Sequence, residues 1–333
     1  MTPHIPLIRV VIPAFRADNT ITACLEAVIS ALSFTDSWEI IVVDNGQNTS
    51  LEHTLAGFPV TVLQRYQLPS AAYARNEGAR GFKEGILVFI DSDVVCEDRC
   101  IRLLIEPIIQ NTCDATIGNY SKNLRGLTFS QKYKQLYINH IYNRDGTEIR
   151  NDFWTAISAV KASVFAALHG FDTSFKGANG EDQEFGIRLT KNGFTVESVR
   201  EANGQHRNKY GVYPIIRNDF RKGITAMKNS LNNRVSLSDN RHARTTDILA
   251  VVFSVLAFGC VVIGFIQPVI IFGVAAFGLA WLLSRRRLAL AFLRHEGAVF
   301  CLKALILMFV LDVVRSSCVA IGIVSSTFGR KKM

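Results

Sequence analysis

Proline is scarce in this chain, 8 residues in 333, and the 23 glycines show no period. Collagen-like and proline-rich architectures are excluded. The seven cysteines, at 24, 96, 100, 113, 260, 301 and 318, are odd in number and include no Cys-x-x-Cys pair. Neither a disulfide framework nor a zinc site fits that spacing, so a reduced, cytosol-facing compartment is expected. Internal repeats and low-complexity tracts are missing. With 49% apolar and 20% charged residues, global disorder is excluded. The length exceeds the roughly 100–200 residues of one ordinary domain, so a sizeable core plus a further part is expected.

Acidic residues are scarce in one region only. Residues 205–333 hold 18 Lys+Arg against 5 Asp+Glu, a net +13, whereas residues 1–204 carry −4. A basic chain can bind nucleic acid. Here, however, the basic part also carries the long apolar runs, which is the footprint of contact with anionic lipid. Membrane lipid, not nucleic acid, is the expected partner. The N-terminal segment is not expected to be a signal peptide, because Met1–Pro6 is polar and Arg9 interrupts the apolar run that follows.

Short β-branched runs alternate with helical patterns through the first half. Strands are expected at Ile8–Ile12, Glu39–Val43, Val60–Leu63 and Gly85–Ile90, and helices at about 20–32 and Ser70–Lys83. A second section, about 114–203, offers a strand at Trp154–Val160, helices at Lys161–Leu168 and Glu181–Asn192, and a strand at Phe194–Val199. This alternation predicts an α/β domain with a mostly parallel, Rossmann-like sheet, whose ligands bind at the carboxyl ends of the strands. Asp44 and Asp91 stand at two such ends.

Charge is missing altogether from Ile248 to Leu283, 36 residues in succession. One membrane-spanning helix needs about 20 apolar residues. Gln267-Pro268 divides the run, so a transmembrane hairpin is expected at 248–284, with spans at about 247–266 and 268–284. Arg241 and Arg244 before it and Arg285-Arg286-Arg287 after it place both ends on the cytoplasmic side. The expected organisation is a catalytic domain at 1–210, a basic connector at 211–247, the hairpin, and over 285–333 a basic loop with an interfacial or third membrane helix at about 298–328. Lys303, Asp312 and Arg315 favour the interface for that last helix, since charges at mid-depth are costly.

Three short motifs carry chemistry. Asp91-Ser92-Asp93 follows a hydrophobic strand, and two carboxylates so spaced can share one Mg²⁺ or Mn²⁺, or simply form a solvated turn. Glu181-Asp182 opens a helix, where acidic residues suit the dipole and where one of them can serve as a general base. The loop before it, with Gly177 and Ala178, is small enough to be shaped by a ligand. Ala74-Arg75-Asn76 sits in an Ala-rich helix, with Arg75 a surface residue or an anion contact. His206, after the last strand, is either structural or within reach of a metal or diphosphate.

Taken with Val11-Ile12-Pro13-Ala14-Phe15 and Val42-Val43-Asp44-Asn45-Gly46, these motifs resemble family 2 glycosyltransferases of the GT-A fold, over about residues 7–210. The apolar C-terminal segments resemble those of bacterial polysaccharide-assembly members of the succinoglycan type. The resemblance implies a donor site with Pro13, Ala14 and Asp44 around the nucleoside, Arg75 beside the base, Asp91 on the ribose or the metal, Ser92 on the donor, and Asp93 with His206 on the metal. It implies Asp182 as catalytic base, Glu181 shaping the acceptor site and Trp154 near the acceptor. The implied activity is metal-dependent, inverting transfer from a nucleotide-diphosphate sugar to a lipid-linked or other saccharide acceptor, at the cytoplasmic face of a bacterial inner membrane. Asp44-Asn45-Gly46-Gln47 departs from the family's Asp-Asp-Gly-Ser. No Gln-x-x-Arg-Trp follows the acidic motif, which implies non-processive addition of one sugar. A membrane-bound scaffold with a degenerate transferase domain and a nucleotidyltransferase are the alternatives. Asp91, Asp93 and Asp182 argue against the first, and the Glu-Asp helix start against the second.

Overall fold

The structure, a computed structural model, describes residues 5–47, 51–68, 70–143, 149–150, 152–175, 180–209, 211–231 and 245–329. The chain divides into two units, Met1–Leu127 with Tyr142–Asn208, and Thr128–Ile141 with Lys209–Met333.

The first unit is built on one sheet. Strands β1 (Ile8–Ala14), β2 (Trp38–Asp44), β3 (Thr61–Gln64) and β4 (Ile86–Ile90) pair in parallel in the order β3-β2-β1-β4. All five residues of β4 are buried, as continuous apolar runs require when helices cover both faces of a sheet. Beyond β4 the sheet continues through β8 (Ile157–Lys161), β6 (Ala115–Tyr120), β9 (Val196–His206) and β5 (Val94–Cys96), with β7 (Ile149–Arg150) paired to β9. Here the expectation of a mostly parallel sheet needs correction. β8 runs antiparallel to both β4 and β6, β5 and β7 run antiparallel to β9, and the sheet as a whole is mixed. The parallel part is the part whose successive strands are joined by helices, Ile21–Ala31, Leu51–Leu55 and Ala71–Ala79, as parallel neighbours require; β5 leaves β4 after a three-residue turn and pairs with β9 at the other end of the sheet.

Helices α1 (Ile21–Ala31), α2 (Leu51–Leu55), α3 (Ala71–Ala79), α4 (Cys100–Ile109), α6 (Ala162–Ala167) and α7 (Glu181–Lys191) belong to the same unit. α3 lies close on the sheet. A Cβ at its Gly78 would fall 2.4 Å from Val11 Cγ1 and 3.1 Å from Val43 Cγ2, so only glycine permits this approach. Five phenylalanines, Phe89, Phe153, Phe165, Phe171 and Phe185, join β4, α6 and α7 in one aromatic core, with ring centroids 4.8 to 6.4 Å apart.

The second unit is helical. It holds most of α5 (Phe129–Asn143), with α8 (Val212–Leu231), α9 (Thr245–Gly264), a 3₁₀ turn at Pro268–Ile271 and α10 (Phe272–Gly329). α10 breaks at Gly297, where φ is 81°. α9 is long and apolar enough to cross a membrane, and so is the stretch Pro268–Cys318. Two features differ from expectation. Residues 285–296, expected as a basic loop, are helical, because Arg286, Arg287 and Arg294 alternate with the buried Leu288 and Phe292 at helical spacing. The described part of the 211–247 connector contains a 20-residue helix, α8. Arg241, Arg244 and residues 330–333 lie outside the described residues.

The buried charges within the apolar helices are paired. Arg285 donates to Asp312 from Nε (3.1 Å) and Nη2 (2.7 Å), and from Nη1 to Asp247. Trp281 Nε1 donates to Asp312 at 3.0 Å. Arg315 bonds Asp312 at 3.1 Å and grips Asp219 with two bonds of 2.8 and 3.1 Å. Asp312 is fully buried, so its charge is met by protein groups and not by lipid.

Candidate active site

The site is assembled at the carboxyl ends of the parallel strands. β2 ends at Asp44, which is buried and accepts the Gly46 N–H at 2.9 Å and the Tyr66 hydroxyl at 3.0 Å. Pro13 and Ala14 close β1 beside it, in register with Val43 and Asp44. Asn45, where the family carries a second Asp, anchors the loop beyond. Its amide donates to Leu68 O at 2.8 Å and to Arg65 O, and its Oδ1 accepts the Ser70 N–H at 2.9 Å. That departure from the family pattern is therefore structural. It fixes the entry to α3, the helix that carries Arg75.

β4 ends one residue before Asp91. The Asp91-Ser92-Asp93 segment makes a turn closed by Val94 N–H to Asp91 O at 3.0 Å, and all three residues are partly exposed. α1 braces this turn through Cys24, whose thiol donates to Asp91 O at 3.6 Å. Burial, then the nearby Cys96, Asp93 and Asp91, raises the Cys24 pKa well above its ordinary value, so the thiol stays protonated. β5 then pairs antiparallel with the end of β9 and sets Val94 opposite His206. This register brings His206 Nε2 to 3.1 Å from Asp93 Oδ2.

Arg75 lies at the centre. Its Nη2 donates to Asp91 Oδ1 at 2.8 Å and its Nη1 to Glu181 Oε1 at 3.1 Å, with the guanidinium over the Phe171 ring at 5.9 Å. It is 3% exposed. Burial alone would lower its pKa, but Asp91, Glu181 and Asp182 outweigh burial, and the net shift is upward. Neighbouring Asn76 holds the 170–171 turn with a reciprocal pair, Nδ2 to Phe171 O at 2.8 Å and Phe171 N–H to Oδ1 at 2.9 Å.

α7 starts at Gly180, which caps it at φ 98°, a conformation suited to glycine. Glu181 is buried and engaged by Arg75, whereas Asp182 is partly exposed on the same first turn. The Gly177 and Ala178 loop lies outside the described residues. Trp154 is flanked by Tyr142, stacked at 4.8 Å, and Tyr120, edge-on at 4.7 Å; Tyr120 also lies 5.3 Å from His206. The structure thus joins Arg75, Asp91 and Glu181 in one cluster and Asp93, His206, Tyr120 and Trp154 in another. Tyr66, Tyr120 and Tyr142 are additions that sequence reasoning missed, because a tyrosine carries no motif of its own. Among the described residues no group of three His, Cys, Asp or Glu side chains is arranged to hold a metal alone.

A mixed α/β sheet with carboxylates at its strand ends and an acidic helix start is an arrangement of GT-A type. Residues 9–169 match the model described as Glycosyl transferase family 2, and residues 145–210 match one described as the N-terminal domain of galactosyltransferase. Over residues 9–169 the chain is similar to glycosyltransferase family 2.

It is 23% identical over 244 residues to glycosyltransferase AglE of Haloferax volcanii, covering 71% of this chain and 78% of that protein. It is 22% identical over 235 residues to validoxylamine A glucosyltransferase of Streptomyces hygroscopicus, covering 61% of this chain and 52% of that one. It is also 23% identical over 117 residues to the Escherichia coli enzyme WfgD, a UDP-Glc:alpha-D-GlcNAc-diphosphoundecaprenol beta-1,3-glucosyltransferase, covering 34% of this chain and 46% of that one. The chain thus spans about half the length of two of these relatives. In fold it is similar to a mannosyltransferase of Pyrobaculum calidifontis solved with GDP-Man and Mn²⁺, with TM-score 0.55 and 14% identity, covering 98% of this chain and 88% of that one.

Proposed function

We propose that this protein transfers one sugar, with inversion, from a nucleoside-diphosphate sugar to a hydroxyl of a lipid-linked saccharide, at the cytoplasmic face of a bacterial inner membrane. The observation that carries the reading is the single guanidinium of Arg75 bonded both to Asp91 of the strand-end motif and to Glu181 at the start of α7. Donor-side and acceptor-side carboxylates are thereby held in one frame.

The donor nucleoside would lie along the ends of β1 and β2, against Pro13, Ala14 and Asp44, with Ser92 and Asp91 toward its ribose. Asp93 Oδ2 and His206 Nε2 are 3.1 Å apart, a hard oxygen and an imidazole nitrogen converging on one side. Two such donors fit a Mg²⁺ or Mn²⁺ ion that takes its remaining ligands from diphosphate and water. The Mn²⁺ of the P. calidifontis mannosyltransferase supports a divalent cation here. When bound, the ion neutralises charge on the departing diphosphate. Asp182, at the N-terminus of α7 and partly open to solvent, takes the acceptor's proton as the oxygen attacks the anomeric carbon. Glu181 cannot share that role while Arg75 holds it as a buried carboxylate.

The lipid-linked acceptor is supported by the two helical segments of membrane-crossing length and by the diphosphoundecaprenol substrate in the name of the relative WfgD. Transfer of a single sugar is supported by the missing Gln-x-x-Arg-Trp. The test is mass spectrometry of products from membranes that contain the protein, offered a panel of nucleotide sugars. A lipid-extractable product heavier by one hexose or aminosugar is expected; no new product from any donor would overturn the reading.

A further inference from the structure

We infer that the apolar hairpin enters the membrane from one side and ends inside the far leaflet, with no residue emerging into water beyond. The inference rests on the membrane reading above and goes further than it. A hairpin that crossed fully would be expected to end in a polar turn. This turn is the most exposed apolar part of the described residues. Phe265, Ile266, Val269 and Phe272 are 87, 79, 77 and 75% exposed, and the turn has one polar side chain, Gln267.

Much of the turn's backbone is also bonded within the turn. Ile266 and Gln267 N–H bond to Ile263 O at 2.8 and 2.9 Å, Ile270 N–H bonds to Gln267 O at 3.0 Å, and Phe272 N–H bonds to Val269 and Ile270. Pro268 has no N–H to satisfy. A turn surrounded by hydrocarbon needs such internal bonds, since lipid offers no hydrogen bonds.

The base of the hairpin is marked by charge. Asp247 on one arm and Arg285 on the other are bonded to each other, and Trp281 and Arg285 both donate to Asp312. Charged groups beside a tryptophan fit the headgroup boundary. From Asp247 to Gln267, where the Gln267 N–H still bonds Ile263 O in helical fashion, are 20 residue steps, about 30 Å at 1.5 Å per residue. Tilted by the usual ~20°, that arm reaches about 28 Å deep, just inside a hydrocarbon core of ~30 Å. The tip therefore stops within the far leaflet.

The test uses the full chain in sealed membrane vesicles, with Cys260 and Cys301 replaced by Ala. Gln267→Cys and Phe265→Cys are compared with Arg287→Cys, all three being exposed positions. A membrane-impermeant maleimide is applied from either side. Arg287→Cys should label from the side of the catalytic unit. The two tip cysteines should stay unlabelled from both sides and react only after detergent is added. Labelling of either tip cysteine from the opposite side overturns the inference and leaves a spanning hairpin. Alkaline carbonate extraction separates the two ideas. Retention with a labelled tip sinks the one-sided hairpin alone, whereas release of the protein into the wash sinks the membrane reading itself.

Discussion

Arg75 and Asp91 meet at 2.8 Å between Nη2 and Oδ1, and the same side chain holds Glu181 at 3.1 Å. One buried cation thus serves two carboxylates on different elements. Removing it takes from Glu181, 2% exposed, its buried cationic partner. Breaking a buried pair in this way typically costs about 3–5 kcal/mol. Arg75→Met is expected to lower stability on that scale, as read from the urea midpoint. Adding Glu181→Gln should restore part of the loss without restoring transfer. A double variant no more stable than Arg75→Met would mean that Arg75 matters through packing on Phe171.

Asp93 stands apart from that cluster, paired with His206 and only partly buried. Asp93→Asn should therefore abolish transfer with little change in the thermal midpoint. Activity assayed against added Mn²⁺ and against excess EDTA checks the reason. Turnover that persists in EDTA would rule out a metal at this pair.

The catalytic base gives a different signature. Asp182→Asn keeps the shape of the first turn of α7 and removes the proton acceptor. A rate loss of roughly 10²–10⁴-fold is expected, with donor affinity by calorimetry nearly unchanged. Loss of donor binding instead would make Asp182 a ligand contact.

The two halves of the sheet were not equally legible in the sequence. β1, β2 and β4 announce themselves because their central residues are buried on both faces and hence form short apolar runs, Val10–Ile12, Ile40–Val43 and Ile86–Ile90. The carboxylates Asp44 and Asp91 follow as the first polar residues after such runs. β6 does not read as a strand, since its Thr116 and Asn119 are polar yet buried; Thr116 bonds Leu104 O at 2.7 Å, a partner that only the folded chain supplies. β9 is expected to end near Val199 but runs to His206, because β5 pairs with its polar end. The partners of Arg75 were hidden too, since they lie 16 and 106 residues away.

α5 was equally illegible. Its sequence, Phe129 to Asn143, is polar on average, but Tyr133, Leu136 and Ile141 are buried. Tyr133 and Phe129 pack on Phe292 and Phe300, and Lys132 bonds Glu296 at 2.6 Å. A chain ending near Arg241 would lose all three partners. Such a chain is expected to unfold more easily and to aggregate through the bared face of α5, despite having shed the apolar hairpin. Size-exclusion chromatography decides it; a monomeric, stable truncated chain would show that α5 folds without the C-terminal helices.

Acid stability supplies the last test, through Asp114. Its Oδ1 accepts Lys161 Nζ at 3.0 Å, and its Oδ2 accepts the Thr195 N–H at 3.0 Å and the Thr195 hydroxyl at 3.2 Å. Burial pushes this carboxyl up, but the Thr195 N–H, Lys161 and the Thr195 hydroxyl together pull it down further, and its pKa is lowered. A carboxyl held lower in the folded chain binds fewer protons there than when unfolded. It stabilises the fold above its unfolded pKa, and that contribution fades as the pH falls through the folded value. Because the carboxylate is still partly open to solvent, the effect is on the scale of an exposed ion pair, about 0.5–1 kcal/mol. Asp114→Asn should therefore be less stable than the natural chain at pH 7 and equally stable in strong acid. A deficit of unchanged size across that range would mean that the asparagine disturbs the junction between β6 and β9 by shape, and not by charge.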